Sequence, residues 1–213
     1  MLAVNEPMMN AVVAPMNARR QAGFTLIELL VVIALISIML DIAVPSFTSF
    51  ISNYRATSAI NDFLQGVNLT RNEALKRGRR VMMMPNDSAG TPSVTGNWKY
   101  GWTIFVDTNN NQVLDIAEIT AGNLIYKHAL LDLSIAVSNS GGGASAPFTD
   151  GSSRTYVSFD GTGYPRQLGG GGLAGGIVMI DTTGPSVNRR TLCLAVLGRP
   201  RIVKDVVETC SAG

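Results

Sequence analysis

Charge is scarce in this chain. Lysine, arginine, aspartate and glutamate make up 15% of its 213 residues, against roughly 25% in a soluble globular domain. Its 17 basic and 15 acidic residues nearly cancel, so a highly charged disordered chain is excluded. Two cysteines and one histidine exclude a disulfide-dense miniprotein, a four-cysteine zinc site and a histidine-rich metal centre. The 22 glycines cluster without a period, which excludes a collagen-like repeat.

One long apolar run lies near the N-terminus. Residues 24–44 carry only two charged side chains, Glu28 and Asp41. As a helix rising about 1.5 Å per residue, this segment spans the roughly 30 Å of a bilayer core. The pair Arg19-Arg20 precedes the run, and the next basic residue is Arg55. The asymmetry predicts a single-pass transmembrane helix with a cytoplasmic N-terminus and the rest of the chain outside.

The small residues before the apolar run distinguish it from an ordinary secretory signal, whose cleavage site follows the apolar core. The string GFTLIELLVVIALI begins at Gly23, and Pro45 follows the run. This pattern resembles the class III signal of type IV prepilins and type II secretion pseudopilins. The resemblance implies that a prepilin peptidase removes residues 1–23 as a leader and methylates Phe24.

Two carboxylates lie in the apolar run. A carboxylate in lipid is costly unless it is paired. The resemblance implies that Glu28 pairs with the amino terminus of a neighbouring subunit in a filament; the alternative is a Glu28 that reaches the bilayer surface. Asp41 departs from the family pattern, and either lies at the membrane interface or pairs with a partner subunit. Pro45 lacks an N–H and is expected to kink or locally melt the helix.

An amphipathic helix is predicted over residues 45–78. Apolar residues recur there at spacings of mostly three and four, and Gly78 is a plausible stop after Lys76. The apolar stripe needs a sheet to cover it. The stripe consists of Phe47, Phe50, Ile51, Tyr54, Ile60, Phe63, Leu64, Val67 and Ala74. The polar side consists of Ser52, Asn53, Arg55, Asn61, Asp62 and Asn68.

The remainder, residues 79–213, is predicted to form a β domain, because it consists of short apolar or β-branched segments bounded by turn residues. The predicted fold class is therefore α+β, with a long N-terminal transmembrane and amphipathic helix packed on an antiparallel β-sheet. Glycines 141–143 and 169–172 are expected to be flexible connections. The predicted strands are Val81–Met84, Gly101–Asp107, Leu124–Leu130, Leu133–Ser138, Thr155–Asp160, Gly176–Asp181 and Thr191–Leu197.

Four further motifs resemble the GspH/FimT family of type IV minor pilins and type II secretion pseudopilins. They are RNEALKRGRRV at 71–81, WKYGWTIFVD at 98–107, FDGTG at 159–163 and GRPR at 198–201. The resemblance implies a non-enzymatic subunit that joins or primes a filament at its tip from the bacterial inner membrane, with the β domain in the periplasm. Its partners would be other pilins or pseudopilins, the prepilin peptidase and either DNA or a secreted protein. Trp98 and Trp102 are expected to be core residues, and His128 has no catalytic partner.

Oxygen-bearing side chains alternate between Asp107 and Glu118. Asp107, Asn109, Asn111, Asp115 and Glu118 occupy positions one, three, five, nine and twelve of a calcium loop. Gln112 stands where such a loop has glycine, and Asn/Asp clusters are also common in hairpin turns. A calcium site and an ordinary turn both remain open; no other cofactor is predicted.

The C-terminal region combines two cysteines with basic residues. Export to an oxidising space favours a disulfide between Cys193 and Cys210, as in many type IV pilins. In FimT-type minor pilins that assist natural transformation, a GRxR motif binds DNA. The resemblance therefore implies phosphate contacts for Arg199 and Arg201, with support from Lys204.

Two alternatives apply to the basic residues. The GRPR segment would be an edge strand after a turn in a GspH-like pseudopilin, with its cations preventing aggregation. A second basic group at the end of the long helix is also explained by favourable placement of cations at a helix C-terminus. This group consists of Lys76, Arg77, Arg79 and Arg80.

Overall fold

A computed structural model gives the architecture of most of the chain. Of the predicted leader only Gly23 falls within the described part, and the glycine run at 141–143 lies outside it. The chain divides into two compact units, residues 1–42 and residues 43–213. The described residues are 23–111, 114–139, 148–150, 152–183, 188–204 and 210.

The described chain consists of one long helix, one short helix and eight strands. All strand pairs are antiparallel, in one four-stranded sheet of order β3-β2-β1-β5 and another of order β4-β6-β7-β8. The α+β prediction is confirmed, with two sheets beside the helix. The elements are α1 (Leu26–Arg77), β1 (Val81–Asn86), β2 (Asn97–Val106), α2 (Ile116–Thr120), β3 (Leu124–His128), β4 (Ile135–Asn139), β5 (Val157–Phe159), β6 (Gly175–Asp181), β7 (Asn188–Leu194) and β8 (Pro200–Lys204).

The main core lies between the second half of α1 and both sheets. Phe63 of the helix packs edge-on against Trp98 and Trp102 of β2, with ring centroids 5.0 and 5.3 Å apart. Both tryptophans are buried, which confirms their assignment to the core. Because side chains alternate along a strand, Met83 of β1 faces this core while Met82 belongs to a second cluster on the opposite face.

The helix uses a different face from the predicted one at its start. Phe47, Phe50 and Tyr54 are 64–67% exposed, so their place in the buried stripe was predicted wrongly. Ser52, predicted to be on the polar side, is buried and accepts a hydrogen bond from Asn188 Nδ2 at 2.9 Å. Small side chains let the helix approach the sheet closely here; farther along, the prediction holds. The buried helix residues are Ser52, Ala56, Ala59, Ile60, Phe63, Gly66, Val67, Thr70 and Ala74.

The ends of the helix follow local chemistry. Gly78 has φ of 60°, a left-handed conformation that glycine adopts without strain, and α1 ends at Arg77 as predicted. Helical structure is continuous through Pro45, so the local melting expected there is not observed.

The strand predictions found seven of the eight strands but shifted their ends. The predicted strand Thr155–Asp160 shrinks to Val157–Phe159. The Thr155 N–H instead donates to the Val94 carbonyl in the β1–β2 connection, and the Asp160 N–H donates to the Tyr164 carbonyl across a turn. The strand predicted at Thr191–Leu197 ends at Leu194, where Gly198 donates back to the carbonyl of Ala195 and closes a turn. The helix α2 and the edge strand β8 were not predicted as elements.

Candidate functional site

The start of α1 presents the predicted processing residues to solvent. Gly23 and Phe24 precede the helix, and Phe24 is 86% exposed. Thr25 caps the helix: its hydroxyl accepts the N–H of Glu28 at 3.3 Å and its carbonyl accepts the N–H of Leu29 at 3.2 Å. The Glu28 carboxylate is exposed in the first turn. Thr25 therefore has a positioning role that the sequence interpretation missed, although its spacing to Glu28 is that of a capping box.

The apolar half of α1 exposes its large side chains. Its large apolar side chains from Leu26 to Val44 are 46–76% exposed. The most apolar 18-residue window of the helix has a mean hydropathy of 2.7 and is long enough to cross a membrane. This segment is suited to membrane anchoring, as predicted.

The β7–β8 turn carries the GRPR motif at the edge of the second sheet. Arg199 and Arg201 are exposed. Gly198 has φ of 76°, and a Cβ there would lie 3.1 Å from the carbonyl oxygen of Gly163, so both the conformation and the close approach require glycine. Arg71 of α1 donates to the Gly198 carbonyl at 3.0 Å. The turn is thereby held against the helix.

The FDGTG motif lies between the helix end and the GRPR turn. A Cβ on Gly161 would lie 2.4 Å from the carbonyl carbon of Gly78, and one on Gly163 would lie 2.9 Å from Leu75 Cδ2. These glycines permit backbone-to-helix packing. Arg71 was not predicted as a site residue. It lies one helical turn before Leu75 and therefore on the same face of α1, but only the folded structure shows that this face meets the GRPR turn.

Strand geometry separates the predicted basic residues. Arg201 pairs with Cys193 and Lys204 pairs with Arg190. Since side chains alternate, Arg201 and Lys204 point to opposite faces of β8, and Lys204 is not beside Arg201 as the predicted support role requires. Arg190 is buried and donates to Asn53 of α1. It therefore belongs to the helix–sheet packing rather than to the exposed basic surface.

The basic residues at the end of α1 are partly paired. Glu73 accepts hydrogen bonds from Arg77 at 2.8 Å and from Lys76 at 3.4 Å. The Arg77 hydrogen bond is the main reason that the pKa of Glu73 lies below its usual value, with Lys76 adding to it. These two cations therefore stabilise the helix end locally, in line with the structural alternative.

The predicted disulfide is present. Cys193 and Cys210 are bonded, with Cα atoms 5.4 Å apart. Cys193 lies directly across from Arg201, so the disulfide joins Cys210 to the strand that pairs with β8. Closing a loop of this size contributes about 3 kcal/mol in the chain-entropy model.

The acidic loop links β2 to α2. Asp107 and Glu118 are 3% and 2% exposed. Asp115 caps α2, accepting the Glu118 N–H at 2.9 Å, and this hydrogen bond is the main reason that the pKa of Asp115 lies below its usual value. Asn109 and Asn111 donate their amides to Asp115 Oδ2 at 2.9 and 3.3 Å. Asp107, Asn109, Asn111 and Asp115 lie in the loop and Glu118 lies in α2; among the described residues these acidic side chains are not grouped at metal-binding distances.

His128 is engaged in packing. Its ring stacks on Trp102 with centroids 3.9 Å apart and planes 13° apart, and Nδ1 lies 2.7 Å from the Ala129 carbonyl oxygen. A cleft of about 340 Å³ beside it is lined by Asp62, Gln65, Gly66, Leu69, Tyr126 and His128. No serine or cysteine nucleophile lines this cleft.

Comparisons with known proteins identify the family. The profile described as type II transport protein GspH matches residues 59–198, and the prokaryotic N-terminal methylation motif matches residues 18–40. Fimbrial protein Q of Moraxella bovis is 45% identical over 51 residues, which are 24% of this chain and 31% of that protein's length. The type IV minor pilin FimU of Pseudomonas aeruginosa PAO1 matches with a TM-score of 0.46 and 14% identity, over 76% of this chain and 98% of FimU. Because the GspH profile covers more than half of the sequence, this chain belongs to the GspH family of pilins and pseudopilins.

Proposed function

We propose that this chain is a minor subunit of a type IV pilus-like filament, held in the inner membrane by residues 24–44 until it joins the filament. The exposed apolar half of α1 carries this proposal. So large an apolar surface must be covered by lipid before assembly and by neighbouring subunits after it. The positive-inside rule favours a cytoplasmic N-terminus and a periplasmic β domain. We propose a position at the filament tip, as the family resemblance implies.

Processing and assembly involve the residues at the start of the helix. A prepilin peptidase cuts after Gly23 and methylates Phe24, which leaves an amino terminus near the exposed carboxylate of Glu28. In the filament, Glu28 pairs with the amino terminus of a neighbouring subunit. Because an unpaired carboxylate in an apolar environment costs several kcal/mol, pairing favours the correct register between subunits.

The test replaces Glu28 in the full chain, expressed at native levels in cells that assemble the filament. We expect Glu28→Leu to lower incorporation into sheared filaments about tenfold or more, because each 1.4 kcal/mol of lost pairing is a factor of ten. Asp41→Leu removes the other acid of the same segment and is the comparison: normal incorporation places Asp41 at the membrane interface, and reduced incorporation shows that it also contacts a partner subunit. Membrane levels of both variants are measured by immunoblot. Normal incorporation of Glu28→Leu would overturn the pairing role.

The pilus is preferred over a type II secretion pseudopilus because the aligned relative is named a fimbrial protein. The alternative is a GspH-like pseudopilin that meets a secreted protein substrate at the pseudopilus tip. Deletion of the chain distinguishes the two: loss of surface filaments supports the pilus, and loss of protein secretion with intact filaments supports the alternative.

A second proposed activity is DNA binding by the GRPR turn. Arg199 and Arg201 are exposed, and the Arg71 bond to Gly198 holds the turn against the helix. Guanidinium groups match phosphate oxygens, and such contacts give binding that is independent of sequence and weakened by salt.

Electrophoretic mobility shifts test this activity with the full chain in detergent and random-sequence duplex DNA. We expect Arg199→Ala/Arg201→Ala to weaken binding at least about tenfold and to lower the salt slope by roughly one to two. Lys204→Ala, a cation on the opposite face of β8, is the matched control and should retain binding. Equal affinity of the double variant and the wild-type chain would exclude this turn as the DNA contact.

A further inference from the structure

We propose that the loop from Asp107 to Glu118 binds a calcium ion between the end of β2 and the start of α2. The sequence spacing alone is compatible with an ordinary turn. One buried atom separates the two interpretations. Glu118 is only 2% exposed, and its Oε2 has no hydrogen-bond partner among the residues that the structure describes.

The Glu118 carboxylate lies against the start of the loop. Its other oxygen, Oε1, accepts the backbone N–H of Thr108 at 2.7 Å and the Thr108 hydroxyl at 3.0 Å. Glu118, at position twelve of the loop, therefore contacts Thr108 at position two. A carboxylate taken out of water is costly unless a cation or hydrogen bonds satisfy both oxygens. Glu118 forms no ion pair with any described lysine or arginine.

Backbone hydrogen bonds turn the first part of the loop back toward Asp107. The N–H of Asn111 lies 3.1 Å from Asp107 Oδ1 and 3.0 Å from Asn109 Oδ1, and Asn110 has φ of 58°. Asn110 therefore supplies a left-handed turn residue within the described part of the loop, a conformation that asparagine tolerates.

The available ligands suit a hard, flexible cation. Three carboxylates and two amide oxygens come from one loop, and calcium accepts six to eight oxygens with variable geometry, whereas magnesium demands a near-ideal octahedron. Among the described residues the carboxylates are not grouped at metal-binding distances, and the Asn109 and Asn111 amides point their nitrogens at Asp115. Calcium entry turns these amides so that their oxygens face the ion. An ordinary turn explains the Asx hydrogen bonds but leaves Glu118 Oε2 unexplained.

The experiment titrates calcium chloride into the full chain in detergent, after chelator treatment, by calorimetry and thermal unfolding. We expect binding in the range of about 10⁻⁴–10⁻³ M that is typical of extracellular sites, and a higher Tm at 10 mM calcium than in chelator. The same concentration of magnesium should give a clearly smaller rise. Absence of heat and of a Tm shift with calcium, or an equal response to magnesium, would overturn the assignment.

The diagnostic variant is Glu118→Gln. It keeps the side-chain volume and the acceptor for Thr108 but removes the charge, so we expect it to fold, with a Tm in chelator no lower than that of the wild-type chain. Its calcium affinity should fall at least tenfold. Asp160→Asn, which changes a turn aspartate with similar backbone bonds to Thr162 and Tyr164, is the matched control and should bind normally. An unchanged calcium response of Glu118→Gln would overturn the site.

Discussion

Asp150 illustrates how much one carboxylate can organise at the residue scale. It accepts hydrogen bonds from the N–H groups of Ser152 and Arg154, from Arg154 Nε and from the Tyr156 hydroxyl, all at 2.9–3.0 Å. Burial raises the pKa of Asp150, but the hydrogen bonds from Arg154, Ser152 and Tyr156 outweigh it and hold the pKa below its usual value. The ionised carboxylate thus joins the turn before β5 to the second core cluster, to which Tyr156 belongs.

Replacement of Asp150 by asparagine should destabilise the protein by about 1–3 kcal/mol at pH 7, because charged hydrogen bonds are lost. A pKa that is lower in the folded state stabilises the fold above the unfolded-state value near 3.9, and this contribution disappears as pH falls through the folded-state pKa. The gap in unfolding free energy between the wild-type chain and Asp150→Asn should therefore shrink as the pH falls below the unfolded-state value near 3.9. Urea unfolding of both proteins at pH 7 and at a pH below about 3.9 measures the difference in unfolding free energy. A difference that does not change with pH would contradict the prediction.

At the same scale, the sequence predicted the burial of large apolar residues better than the burial of small polar ones. Trp98 and Trp102 were assigned to the core because of their size, and the structure confirms it. Ser52 was placed on the polar side, yet it is buried with Asn188. Its hydropathy carries no information about a partner 136 residues away, so only the fold could reveal it.

At the element scale, α1 approaches the first sheet through small residues. A Cβ on Gly66 would lie 2.8 Å from Trp102 Nε1 and 3.0 Å from Met83 Cε. Trp102 is fully buried and cannot move aside without disturbing its contacts with Phe63 and His128. Gly66 therefore sets the helix-to-sheet distance.

Gly66→Ala should lower stability by up to about 2 kcal/mol. Alanine gains about 1 kcal/mol of helix propensity, but overpacking against a rigid tryptophan typically costs 1–3 kcal/mol. Asn68→Ala, on the exposed side of the same helix, should be neutral or stabilising. Chemical denaturation of both variants measures the difference in stability. If the denaturation midpoint rises as much for Gly66→Ala as for Asn68→Ala, the Trp102 side chain accommodates the added methyl group and the prediction is wrong.

The elements missed by prediction, α2 and β8, depend on specific partners. The helix α2 has five residues and depends on the Asp115 cap, and β8 depends on pairing with β7. Length alone does not explain the omission, because the predicted strand β5 has only three residues. By contrast, α1 and the apolar strands carry long patterns that the sequence displays directly.

At the scale of the whole molecule, the core does not include the N-terminal segment. Every buried residue of the described chain lies at Ser52 or beyond it. Residues 43–213 also form a compact unit of their own. The fold of this unit should therefore be independent of the apolar segment.

A chain truncated to residues 43–213 should be soluble without detergent and unfold cooperatively, with a Tm within a few degrees of the full chain. Size-exclusion chromatography and circular dichroism test this, with the full chain in detergent as the control. Non-cooperative melting of the truncated chain would show that residues 1–42 contribute to the fold.

The sequence by itself determined the apolar anchor, the helix end at Gly78, the core tryptophans and most strands, because each depends on a local pattern of hydropathy or backbone freedom. The tertiary structure decided which face of α1 is buried, that Lys204 and Arg201 lie on opposite faces of β8, and that Arg71 holds the GRPR turn. These features depend on strand register and on contacts between residues more than 100 positions apart, which no local pattern encodes.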